Sequence, residues 1–381
     1  MNFSYCNTTK VYFSNEIVEL FNYVCESHYK KILLITGGKF TKKIADKISD
    51  VFAANHVEFI ILDGVTTNPL AETIKEMTAK AKVFMPDVII TVGGGSVHDA
   101  GKIVSFMYYS EESIVDYTVD GRLGVPGIVN SIPVITVPTI FGSGAEVSPA
   151  ALVRINNEKK VIFSPLLHPV ASFINISFAK SLTCYQIARS SFDSFIQALE
   201  GYISKLSNNI SCAFATIVIK NYNIALPYLF SSQICDDVLE KLAISSVFSS
   251  YVCSTASVGA IHAISDPISG RYNTHHATAL ALVAEDVLKK NLSVVDAIKI
   301  RELDDMLTNV PTEFVDSADR LIDKIVYIID HLDLIDNVEK NIEKKVIMHM
   351  AEEAFNGDMV GNPYDFKKSE IIDILRKHCN D

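Results

Sequence analysis

The stretch GGGSVHDAGK, residues 93–102, sets three consecutive glycines between an apolar run, PDVIITV, and a helical pattern that carries Asp99 and Lys102. A glycine-rich turn from a buried strand into a helix brings backbone close to a ligand and aims N–H groups at it, which is the chemistry of an anion site. The same glycines also fit a tight turn with no ligand, so the turn alone leaves both readings open. A second set of side chains lies further along. Asp193 and Gln197 are four apart and share one helical face, and His262 and His276 follow in the next helical region. Taken singly, these read as a helix-surface aspartate, a capping glutamine and histidines satisfied inside a core.

The elements that must position these residues change character along the chain. Apolar runs at 30–38 (KKILLITGG), 57–65 (VEFIILDGV), 87–95 (DVIITVGGG) and 133–139 (PVITVPT) read as buried strands, and 39–55 and 69–84 between them read as helices. Alternation of this kind predicts right-handed crossovers and a parallel sheet. From about Ser181 the β-type runs give way to long segments of helical period, such as DSFIQALEGYISKL and VLEKLAISSVFSSYV. The expected architecture is therefore an α/β dinucleotide-binding domain over 1–180 and an all-helical domain over 181–381. Hydrophobic content of 49% with 21% charged residues fits a folded globular chain, and a net charge of −11 argues against nucleic acid or an anionic membrane as partner. Seven scattered cysteines without a C-x-x-C pair suit a reducing cytoplasm. No basic and apolar leader opens the sequence, so no secretory signal is expected, and no run of 18 apolar residues predicts a membrane span.

Five segments, in order, resemble the iron-containing (group III) alcohol dehydrogenases. GGGSVHDAGK is similar to that family's GGGSxxDxAK, with Gly101 where alanine is usual; VPTIFGSGAEVS (137–148) is similar to PTTxGTGSEVT, and FDSFIQALEGYIS (192–204) to DAxxHAxEAYxS. VGAIHAISDPISGRYNTHHATALAL (258–282) resembles the signature with two metal-binding histidines, and NGDMVGNPYD resembles the closing NPR motif. The resemblance implies an oxidoreductase in which a divalent metal, Fe2+ or Zn2+, polarises a small aldehyde while hydride arrives from a reduced nicotinamide. It implies that Gly94, Gly95 and Ser96 hold the pyrophosphate, with Asp99 in the same motif, and that Asn68, Thr139, Ser143 and Lys159 line the rest of the nucleotide. Gly37, followed by Gly38 in the same cofactor-binding turn, stands where NAD-preferring relatives carry an aspartate that binds the ribose. TGGKFTKK looks instead like the NADP-using version, with Lys39, Lys42 or Lys43 supplying charge or merely forming a solvated helix face. NADP(H) is thus favoured over NAD(H). A homo-oligomer, a dimer or larger, is also implied.

The resemblance further implies a metal site of Asp193, Gln197, His262 and His276, with His276 chosen over His275 from the downstream ATALAL. Two departures stand out. Gln197 replaces a histidine, and an amide oxygen is a weaker ligand that suits hard ions better than zinc. Asp266 replaces a histidine that relays a proton near the nicotinamide; it either does that work, which would make Asp266 and His276 the catalytic pair, or only ends a helix at SDP. Ile140 replaces a threonine of the cofactor loop. Three rival functions stay open at this point: a dehydroquinate synthase-like lyase, a metal-free reductase, and a nucleotide-binding protein without catalysis.

Overall fold

Ile32, Leu33, Leu34 and Ile35 are consecutive and all buried, so the strand they form must be covered on both faces. The computed structural model, which describes residues 5–272, 274–336 and 342–380, supplies both covers. The chain divides into two units, one spanning Cys6–Leu182 and the other running from Thr183 with Tyr5 added. The expectation about the N-terminal leader falls partly on residues 1–4, outside the described residues.

In chain order the first unit contains β1 (Lys10–Phe13), α1 (Ile17–Glu26), β2 (Lys31–Thr36), α2 (Gly38–Ala54), β3 (Glu58–Leu62), α3 (Ala71–Phe84), β4 (Val88–Gly93) and α4 (Gly95–Met107). After these come β5 (Val134–Pro138), β6 (Ala150–Ile155), β7 (Glu158–Phe163) and β8 (Ala171–Ile174). Six strands form one sheet in the order β1-β8-β5-β4-β2-β3, all pairings parallel, and β6 and β7 form an antiparallel hairpin. Period-two alternation sorts the side chains. Ile32, Leu34, Ile90 and Val92 pack with Leu20 of α1 and Ile48 of α2, whereas Leu33, Ile35 and Ile89 pack with Ile74 of α3 and Ile103 of α4. The strand order reverses between β2 and β4, and the glycine turns at 37–38 and 93–95 follow the carboxyl ends of those two strands. That is where open α/β sheets bind ligands.

The second unit is built from α5 (Cys184–Ile203), α6 (Asn209–Phe230), α7 (Asp236–Ala256), α8 (Ala260–Tyr272), α9 (His276–Leu292), α10 (Ala297–Met306), α11 (Ser317–His331), α12 (Lys344–Phe355) and α13 (Lys368–Asn380). No strand occurs among its described residues. A capping box of Thr183 and Gln186 starts α5, and the helix is buried almost all round through Phe192, Phe195, Ile196 and Leu199. Asp266 does not end a helix: α8 runs through Pro267 to Tyr272. Proline removes one backbone hydrogen bond, but Pro267, Ile268, Ser269 and Gly270 are all buried, and their packing carries the helix on. Among the described residues no single helix is long and apolar enough to cross a membrane.

Candidate functional site

Two groups of residues were singled out by the sequence, and each lies within one unit. In the first unit the glycine turn caps β4. Gly94 is the N-cap of α4 in extended conformation, and Gly93 O accepts the Thr139 N–H at 2.9 Å. The first N–H groups of α4, at Gly95 and Ser96, have no acceptor within the helix. The loop after β5 explains why glycine recurs. A Cβ on Gly95 would sit 2.5 Å from Ser143 Oγ, and one on Gly94 would sit 2.9 Å from Ile140 Cγ2. Asn68, in the left-handed conformation that asparagine tolerates, brings its backbone N–H to Ser96 Oγ at 3.2 Å. The structure therefore gathers Asn68, Gly94, Gly95, Ser96, Thr139 and Ser143 around the start of α4.

Gly37 adjoins this group, because a Cβ there would come within 3.2 Å of Val97 Cγ2 and would overlap the Val65 carbonyl oxygen. Gly38 has a positive φ of 71° and open space on its Cβ side. Lys39 and Lys43 are exposed in the first turns of α2, and half-buried Lys42 pairs with Asp46 at 2.8 Å. Asp99 and Lys102 face the β6–β7 hairpin. Lys102 Nζ donates to Ala150 O at 2.9 Å, and Asp99 bonds the backbone of Leu152. Burial pushes the Asp99 carboxyl up to about 6 against the pull of Lys102, and pushes Lys102 down to about 8 against Asp99 and Glu146. Lys159, on β7, is within electrostatic reach of Asp99. His98 is wholly buried with Nδ1 2.8 Å from Thr91 Oγ1, and burial, then Lys102, lowers it to about 3.

In the helical unit Asp193 and Gln197 of α5, His262 and Asp266 of α8 and His276 at the start of α9 come together. One ligating atom each from Asp193, His262 and His276 lie within 4.8 Å of one another. His262 Nε2 is 3.2 Å and His276 Nε2 3.9 Å from Asp193 Oδ1. His275 instead caps α9, its Nδ1 accepting from the Ala277 N–H at 3.3 Å. Gln197 directs its amide nitrogen, rather than its oxygen, at Asp193 Oδ1, 2.9 Å away. Asp266 Oδ1 lies 3.9 Å from His276 Nδ1 with its side chain 31% exposed, so water reaches it.

Sequence reasoning passed over two residues here. Glu200 places Oε2 2.6 Å from His262 Nδ1 and accepts the Ile261 N–H on Oε1 at 2.7 Å. Its spacing of seven from Asp193 continues the polar stripe of Asp193 and Gln197 on an otherwise apolar helix, a signal open to reading. Asn362 of the NPYD motif accepts the Ala260 N–H at 3.0 Å and exchanges amide bonds with Asn291. Burial alone would lower His262, but the Glu200 and Asp193 carboxylates outweigh it and raise the imidazole to about 10. Two imidazoles and a carboxylate converging in this way, Asp193 and His262 buried and His276 half-buried, are a nitrogen and oxygen donor set that fits one divalent cation.

Comparison with known proteins covers both units. The family description "Iron-containing alcohol dehydrogenase" matches residues 8–176, and "Fe-containing alcohol dehydrogenase family, C-terminal" matches residues 187–379. The chain is 26% identical to the NADPH-dependent butanol dehydrogenase of Clostridium saccharobutylicum, covering 91% of each. It is 23% identical to the NADH-dependent butanol dehydrogenase B of Clostridium acetobutylicum, covering 99% of each. A crystal structure of 1,3-propanediol oxidoreductase shares the fold with a TM-score of 0.88 at 24% identity, over 99% of this chain and 100% of that one.

Proposed function

The chain belongs to the iron-containing alcohol dehydrogenase family and is an NAD(P)-dependent oxidoreductase interconverting aldehydes and alcohols, and on that premise we propose which residues do the work and on what. Membership sets aside the lyase reading. The carrying observation is the convergence of Asp193, His262 and His276 within 4.8 Å. These three are the proposed metal ligands. Bound there, the cation supplies Lewis-acid polarisation of the carbonyl, and the nicotinamide supplies the hydride. Gln197 in this reading is a donor to Asp193 Oδ1 that holds the carboxylate toward the imidazoles, and its oxygen faces the site only if the amide turns over. Asp266, one turn after His262 and partly open to water, is proposed to carry the proton exchanged with the product oxygen.

The glycine turn is the proposed pyrophosphate seat, with N–H groups at Gly95 and Ser96 as donors. NADP(H) is the proposed cofactor. Its support is steric and electrostatic. Gly37 has no room for any side chain beside Val65 O, so no carboxylate stands at the end of β2, and Lys39 and Lys43 are exposed one turn away. The two butanol dehydrogenases compared above differ in the cofactor they are named for, so the residues carry this argument. Small primary alcohols such as butanol and 1,3-propanediol, for which relatives are named, define the proposed substrate size. A reducing cytoplasm is proposed from seven free cysteines, and a homo-oligomer from the family resemblance.

The test is metal analysis of the purified protein together with reduction of three- and four-carbon aldehydes by NADPH and NADH separately. One divalent ion per chain, lost in His276→Ala, and a higher kcat/KM with NADPH are expected. A protein that binds no metal when offered Fe2+ or Zn2+ overturns the ligand assignment, and equal use of the two cofactors overturns the NADP reading. Gly37→Asp is a poor probe of that preference, because its Cβ would displace Val65. Lys39→Ala with Lys43→Ala, expected to raise KM for NADPH and leave that for NADH, tests it without moving backbone.

A further inference from the structure

We propose that Glu200 is a positioning residue that fixes His262 to present Nε2, and never Nδ1, to the metal. The inference rests on the assignment of Asp193, His262 and His276 as ligands.

Glu200 is 2% exposed. Among the described residues no lysine or arginine pairs with it, although an ionised carboxylate in a dry interior needs a compensating donor. Its two oxygens find two donors on adjacent residues. Oε1 takes the Ile261 N–H at 2.7 Å, and Oε2 faces His262 Nδ1 at 2.6 Å. A carboxylate is acceptor-only, so Nδ1 must carry the proton. Nε2, the nitrogen 3.2 Å from Asp193 Oδ1, is then the one left to give up its proton and turn a lone pair to a metal.

One glutamate thereby sets two coordinates of the same ligand. The Oε2 contact fixes the ring's tautomer and rotation. The Oε1 contact, with Asn362 on the Ala260 N–H, satisfies the opening turn of α8 and fixes how far along the axis His262 stands. Gly259 shows how closely the pair approaches: a Cβ there would lie 2.8 Å from Glu200 Oε1 and 2.9 Å from Asn362 Oδ1. At His276 the carboxylate of Asp266 stands farther off, with Oδ1 3.9 Å from Nδ1. Carboxylates behind metal-binding imidazoles raise ligand basicity, and their loss weakens metal affinity by about 10- to 100-fold.

The variant to make is Glu200→Gln. Glutamine keeps an oxygen for the Ile261 N–H but presents an NH2 group to Nδ1, so the tautomer that leaves Nε2 free loses its acceptor. Zn2+ affinity of the chelator-stripped chain would be read by competition with a chromophoric chelator, for the natural sequence, His276→Ala and Glu200→Gln. Thermal unfolding of each metal-free chain serves as the folding control. A folded Glu200→Gln whose Zn2+ affinity falls about 10- to 100-fold supports the proposal. Unchanged affinity in Glu200→Gln while His276→Ala weakens binding overturns the role of Glu200 and leaves the metal site standing. No Zn2+ binding by the natural chain, or no effect of His276→Ala, overturns the site itself. If Glu200→Gln does not fold, nitrogen-15 spectra of the histidines in the Zn2+-loaded natural chain decide: a protonated Nδ1 on His262 is expected, and a protonated Nε2 overturns the proposal.

Discussion

The glycine turn of the α/β unit and the imidazole–carboxylate group of the helical unit reach a binding geometry by opposite means. At the turn, the proposed pyrophosphate seat, backbone N–H groups are the donors on offer and the side chains around them govern space: Ser143 and Ile140 press on Gly95 and Gly94 until nothing larger fits. In the helical group the side chains offer the contacts, and other side chains, Gln197 and Glu200, orient them by hydrogen bonds. Substitutions at the turn should therefore fail or succeed by volume. Substitutions at the helical group should fail or succeed by donor and acceptor type.

Gly101 gives the sharpest test of the first half of that contrast. The family's usual alanine is absent here, and its Cβ would overlap Thr91 Cγ2 on β4. Thr91 is fully buried and held by its hydroxyl to His98 Nδ1 and Ile135 O, so the methyl cannot swing aside. Gly101→Ala should destabilise the protein by about 3 kcal/mol through overpacking, despite the roughly 1 kcal/mol that alanine gains over glycine inside a helix. Thr91→Ser keeps the hydroxyl and removes the methyl, so the double variant should recover most of that loss. Urea unfolding of the four proteins measures it. Additive losses in the double variant would break the claim that volume is what the turn's surroundings specify.

Charge behind the turn gives a smaller, pH-dependent effect. His98 has its folded pKa depressed to about 3, so the unfolded chain binds more protons below about 6.5 and stability falls as pH falls. Asp99 has its folded pKa raised to about 6, so the folded chain binds more protons between about 3.8 and 6 and stability rises as pH falls through that window. The two slopes oppose one another, and adjacent residues cancel. Asp99→Asn removes one slope and leaves the other. Relative to the natural sequence, the variant should lose stability on going from pH 6 to pH 4, by about 2 kcal/mol in all. A stability difference that stays constant over that range would show that these groups do not titrate independently of their neighbours.

How much of this was legible in the sequence follows the same divide. Strands buried on both faces, β2 and β4, announce themselves as continuous apolar runs, and the triple glycine marks the turn between β4 and α4. The four-residue strands β1 and β8 are too short to show a period. The β6–β7 hairpin did carry a signal, Asn156 and Asn157 at its turn, both with positive φ, of the kind two-residue hairpins prefer. The SDP tripeptide suggested a helix end, yet buried packing took α8 past Pro267. Of the helical group, Asp193, Gln197, His262 and His276 were visible through the resemblance of their segments to the family's motifs, since taken singly each also fits a structural reading. Glu200 sits on the face they define, but its partner lies 62 residues away, a pairing that only the packed helices reveal. The overlap of Thr91 with an alanine at 101 is likewise a property of two elements at once.

Gln197 offers the smallest effect and the finest discrimination. Its amide nitrogen donates to Asp193 Oδ1, so it holds a proposed ligand as Glu200 does, but as a neutral donor rather than a charged acceptor. Histidine at this position is what the family's segment carries. Gln197→His on the same helical face adds a borderline nitrogen donor beside Asp193, and imidazole suits Zn2+ better than an amide does. Zn2+ affinity should therefore rise about tenfold, equivalent to about 1.4 kcal/mol, whereas Mg2+ binding, which favours oxygen donors, should not improve. Gln197→Leu, apolar and of similar size, separates the two roles of the natural residue. If glutamine only holds Asp193 in place, leucine weakens Zn2+ binding while Zn2+ preference over Mg2+ is kept. A shift of that preference toward Zn2+ in the leucine variant would show instead that the amide oxygen turns inward and binds the ion.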